Sequence, residues 1–120
     1  MSEMQMGTGE KSFAEIIWAN EPITSGELAK KSEEALGWKK TTSYTVLKRL
    51  CDKGLFQNEK GVVTSLLSKQ DYYAMQSEQF VSDSFGGSLP AFFAAFTSRK
   101  KLSDSEVAEL QRMIDEYKED

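Results

Sequence analysis

A chain of 120 residues with 39% apolar and 28% charged residues suits one compact domain, or a small domain with an appended helical segment, and no apolar run approaches the ~20 residues a membrane-spanning helix needs. There is no histidine and a single cysteine, Cys51, which removes the commonest general base and metal ligand, excludes an intrachain disulfide, and fits a reducing cytoplasm. The net charge of −4 argues against a protein that coats nucleic acid indiscriminately.

The opening MSEMQMGTGEK has no apolar core followed by a small-residue cleavage site, so no signal peptide is expected, and residues 1–11 read as a flexible N-terminal tail. Three stretches fit the capping box, in which a hydroxyl caps the third helical amide and a glutamate reaches back: SFAE at Ser12, TSGE at Thr24 and SDSE at Ser103. SKQD at Ser68 is a weaker version. The first helix is expected over about 12–20, burying Phe13, Ile16 and Ile17 and ending at NEP. The second spans about 25–36 and stops at Gly37. The third spans about 40–53, where Val46, Leu47, Leu50 and Cys51 form one apolar stripe, and Gly54 supplies a left-handed cap. Two short strands, 55–58 and 62–67, then flank a turn containing Gly61. Three helices followed by a hairpin is the winged helix-turn-helix order.

Beyond residue 68 the pattern is helical again over about 69–84, is broken at GGS, and resumes as the very apolar LPAFFAAF (89–96). A last helix over about 103–118 spaces Val107, Leu110, Ile114 and Tyr117 as a short heptad seam. Such a unit cannot bury its apolar side chains alone. Either two chains pack together through it, or it folds back on the winged helix.

No residue constellation supports catalysis, a metal or a cofactor. Cys51 lies on an apolar helix face, and no glycine pattern makes a phosphate loop. Charge is informative instead. Residues 38–56 carry Lys39, Lys40, Lys48, Arg49 and Lys53 against Asp52 alone, a net of +4, whereas residues 1–37 and 57–120 each sum to −4. With the stripe turned inward, Lys40, Thr41, Tyr44, Thr45 and Lys48 face outward. Lys39 and Lys40 sit at the positive helix end, and Lys60 marks the hairpin tip. This is the composition of a recognition helix and wing on DNA. The competing reading is a winged-helix protein-interaction module that never touches DNA. Trp18 and Trp38 are expected to pack rather than stack on bases.

WKKTTSYTVLKRLCDKGLF, the NEKGVVTSLLS hairpin, QSEQFVSDSFGGSLPAFFAAF and LSDSEVAELQRMIDEY together resemble the penicillinase-repressor transcription regulators, over about Phe13 to Tyr117. The resemblance implies a mainly α protein with a β-hairpin wing: a winged helix-turn-helix DNA-binding domain at 12–68 and a helical dimerisation domain at 69–120. It implies a cytoplasmic homodimer that binds a palindromic operator in double-stranded DNA as a repressor, without catalytic activity or cofactor. Lys39, Lys40, Thr41, Thr42, Tyr44, Thr45, Lys48 and Arg49, with Lys60, are then the DNA contacts. Leu89, Phe92, Phe93, Phe96, Val107, Leu110 and Ile114 hold the dimer. The resemblance also implies release by an inducing signal, in the antibiotic branch through a membrane sensor protease that cuts an Asn–Phe bond. The matching pair here is Ala95–Phe96, with alanine in place of Asn. The paired cysteines of the copper-responsive branch are absent from EYKED, which excludes copper sensing through such a tail.

Overall fold

The computed structural model describes residues 5–119. Their order is α1 (Thr8–Asn20), β1 (Ile23–Thr24), α2 (Ser25–Leu36), α3 (Lys40–Asp52), β2 (Phe56–Glu59), β3 (Val62–Ser65), α4 (Lys69–Phe85), α5 (Leu89–Arg99) and α6 (Asp104–Glu119). This is the expected winged helix followed by further helices. The chain divides into two compact units, residues 1–79 and 80–120.

Helix α1 begins four residues before the Ser12 pattern predicts. Glu10 Oε1 accepts the Gly7 N–H at 3.0 Å, half of a capping box, while Ser12 Oγ donates back to the Thr8 carbonyl at 3.2 Å as a mid-helix serine does. Residues 8–11 of the expected tail are therefore helical, and residues 1–4 lie outside the described residues. Met6 is 4% exposed, with its N–H donated to the Tyr72 hydroxyl at 3.1 Å.

The other caps follow the sequence. Thr24 Oγ1 accepts the Glu27 N–H at 3.2 Å to start α2, which closes at Gly37 in the left-handed region (φ 71). Three residues later α3 begins. It ends in a Schellman motif, with the Leu55 N–H on the Leu50 carbonyl at 3.1 Å and the Gly54 N–H on the Cys51 carbonyl at 3.0 Å, Gly54 lying at φ 83. The hairpin pairs Phe56 with Ser65 and Glu59 with Val62. Its two-residue turn, Lys60–Gly61, has φ of 54 and 85, the positive values that a tight hairpin of matching twist requires. The third strand, β1, was not anticipated. It pairs Ile23 with Val63 and Thr24 with Val62, giving the antiparallel order β1-β3-β2.

One core unites the first unit. Phe13, Ala14 and Ile17 of α1 meet Leu28 of α2, Leu47 and Leu50 of α3, Phe56 and Val63 of the hairpin, and Tyr72 of α4. Trp38 stacks on Phe13 (ring centroids 5.3 Å apart), and Trp18 lies against Phe56 and Tyr72 while its Nε1–H donates to the Leu67 carbonyl at 3.1 Å. Both tryptophans are occupied in packing.

In the second unit, Ser88 Oγ caps α5 through the Ala91 N–H at 3.1 Å. Ser103 and Glu106 form a reciprocal capping box on α6, at 2.9 and 3.1 Å. Neither helix has a buried residue. Phe80, Phe85, Phe92 and Phe96 form a chain of ring contacts with centroids 5.6–6.1 Å apart.

Candidate nucleic-acid interface

Helix α3 sorts its residues cleanly. Ser43, Val46, Leu47 and Leu50 are buried, and Lys40, Thr41, Thr42, Tyr44, Thr45, Lys48 and Arg49 are exposed, as are Lys39 at the N-cap and Lys60 at the hairpin turn. All nine expected contacts therefore lie at the surface. The first turn of α3 holds no acidic side chain, so the partial positive charge of its free amides adds to Lys39 and Lys40. Cys51 is half-buried on the inner side, and burial pushes its thiol up from its ordinary value.

The cations of this surface differ in what already holds them. Lys48 is paired with Asp52 at 3.1 Å along the helix, both groups largely exposed. Arg49 Nη1 lies 3.7 Å from Glu10 Oε2 with the arginine side chain 54% exposed. Lys53, only 24% exposed, donates to Glu10 at 3.2 and 3.3 Å and to the Gln5 carbonyl at 3.0 Å. Among the described residues Lys39, Lys40 and Lys60 meet no carboxylate, and Lys40 Nζ lies 5.9 Å above the Tyr44 ring. Free positive charge thus concentrates at the N-terminal end of α3 and at the wing tip.

Glu10 was not anticipated as part of this surface. Burial of its carboxyl opposes ionisation. The Gly7 N–H, Lys53 and Arg49 outweigh that, and the group is held below its ordinary pKa. Thr45 Oγ1 donates to the Thr41 carbonyl at 2.9 Å, so the hydrogen of that hydroxyl is already committed.

The second unit carries the other expected set. Leu89, Phe92, Phe93, Val107, Leu110 and Ile114 line an apolar groove of about 1090 Å³, joined by Leu102, Met113 and Tyr117. Ile114 is 52% and Tyr117 81% exposed. Phe96 does not line this groove; it packs on Phe92 at 6.0 Å and stays 46% exposed. The Ala95–Phe96 bond lies inside α5 rather than in a loop. Among the described residues no cluster of His, Cys, Asp and Glu could hold a metal ion, and no helix is long and apolar enough to cross a membrane.

A family model described as "Penicillinase repressor" matches residues 6–116. The chain is 27% identical over 118 residues to the penicillinase repressor of Bacillus licheniformis, covering 95% of this chain and 92% of that protein.

Proposed function

From the premise that this chain belongs to the penicillinase repressor family, we propose that it is a cytoplasmic transcriptional repressor that binds a palindromic operator as a homodimer. Helix α3 enters the major groove, and the Lys60 turn rests on the flanking backbone. The observation that carries this reading is the outer face of α3, where Lys39 and Lys40 stand unopposed at the amide end and Thr41, Thr42, Tyr44 and Thr45 lie exposed behind them. Hydroxyls, a phenol and methyls of this kind suit base edges and thymine methyls. The acidic remainder lowers background affinity for other DNA.

The groove between α5 and α6 supports the homodimer, because its leucine, phenylalanine and isoleucine side chains are left open by the described residues of the second unit. The protein acts without catalysis, cofactor or metal. An inducing signal releases the DNA. If a membrane sensor protease delivers that signal at Ala95–Phe96, α5 must first unwind there, since proteases bind their substrates extended.

The test is selection of bound duplexes from a random pool, followed by a salt titration on the selected sequence. Three unopposed ammonium groups per chain give about six phosphate contacts per dimer. The log–log salt slope is then about −5 or steeper, and affinity falls about 10³-fold or more between 50 and 200 mM salt. A palindromic consensus with that slope is expected. No enrichment from a stably dimeric protein overturns the reading and leaves α3 as a protein-docking face.

A further inference from the structure

The N-terminal start of α1 and the C-terminal half of α3 meet at one carboxylate. Glu10, its side chain 14% exposed, faces the Gly7 N–H at 3.0 Å, Lys53 at 3.2 and 3.3 Å and Arg49 at 3.7 Å. The two cations are held differently. Lys53 is mostly buried and also donates to the Gln5 carbonyl at 3.0 Å, so it is a strut that keeps Glu10 in place. Arg49 is half-exposed, and its Nη1 lies 3.7 Å from Glu10 Oε2, an ion pair too long to be a hydrogen bond. A guanidinium has five N–H donors in a fixed plane, so an electrostatic tether without a hydrogen bond restrains where the group lies and leaves those donors open.

We propose that Glu10 is a positioning residue for operator binding: it holds the Arg49 guanidinium at the edge of the DNA-facing surface so that its donors meet a backbone phosphate. This rests on the DNA-binding reading above. A tethered arginine has fewer rotamers to lose when it docks than a free one, so the gain is preorganisation rather than added charge. Glu10 itself does not repel the duplex. It is largely buried, and with Lys53 and Arg49 it forms a group of net charge +1.

A double-mutant cycle on the full chain tests this. Glu10→Gln keeps an oxygen for the Gly7 N–H but removes the charge. Arg49→Ala should reduce the salt slope by about 0.9 per chain. Glu10→Gln should weaken operator binding about fivefold in the wild-type background and be silent in Arg49→Ala, the non-additivity expected of groups acting as a unit. Should Glu10→Gln fail to fold, Arg49→Lys takes its place: it retains the charge and the slope but loses the oriented fork, and affinity should still fall. Equal losses from Glu10→Gln in both backgrounds would show that Glu10 acts through the scaffold alone. Tighter binding with a steeper slope would show that it restrains Arg49 from DNA. Either result overturns the proposal. A wild-type protein that enriches no duplex removes the DNA-binding reading itself, and is distinguishable because the cycle then never begins.

Discussion

Lys40 and Lys48 lie two turns apart on one helix face, yet they are not equivalent. Lys40 lies over the Tyr44 ring and pairs with no carboxylate among the described residues, whereas Lys48 must give up Asp52 at 3.1 Å before it can serve a phosphate. Salt titration of operator binding should therefore show Lys40→Ala losing close to the full 0.9 in slope per chain, and Lys48→Ala clearly less. Thr45 makes a sharper case. Its hydroxyl hydrogen is donated to Thr41, so the methyl is its distinctive offering to a base. With Thr45 set against a thymine methyl as proposed, Thr45→Val should keep operator affinity within about threefold, while Thr45→Ser, which deletes the methyl, should lose about 1 kcal/mol. The reverse ranking in a binding titration would mean that the hydroxyl itself reads DNA. The exposure of these residues was legible in the sequence, because the stripe of Val46, Leu47 and Leu50 fixes which face of α3 points outward. Glu10 was not legible. Its partner Lys53 is 43 positions away, and only the packing of α1 on α3 brings them together.

At the scale of elements, local chemistry set most boundaries. Thr24 caps through its hydroxyl alone and Ser103 through the full reciprocal box, and Gly37, Gly54 and Gly61 take positive φ where the chain reverses. Ser12 failed as a start signal because α1 is anchored from outside itself. The Tyr72 hydroxyl, 66 positions on, holds Met6 in the core and draws the helix start forward. These two serines give a paired prediction. Ser103→Ala removes half of a reciprocal box and should destabilise α6 by about 1 kcal/mol, whereas Ser12→Ala should be near neutral, since its hydroxyl only bonds back to Thr8. Thermal melts followed by circular dichroism would separate them. Strand β1 escaped sequence reading for a different reason. Two residues carry no periodicity, and its pairing to Val62 and Val63 is a tertiary event.

For the whole molecule, an apolar excess was legible beyond residue 68, but the list of residues expected to form a dimer face from it omits side chains that line the groove. Met113, at 53% exposed, shares the groove but falls off the three-four rhythm that singled out Ile114. Ile114→Asp places a charge in the apolar groove of the proposed dimer. Sedimentation should show monomers at micromolar concentration, and operator affinity should fall steeply while the melting of the first unit is unchanged. A variant that remains dimeric would place the interface elsewhere. The clasp between Met6 and Tyr72 has a practical consequence for any recombinant version of this protein. The sequence has methionines at positions 1, 4 and 6, and a chain shortened to start at Met6 would put a charged α-amino group where a neutral amide now donates inside the core. It would also delete the Gln5 carbonyl that steadies Lys53. Removing Gln5 is thus core surgery rather than the trimming of a tail.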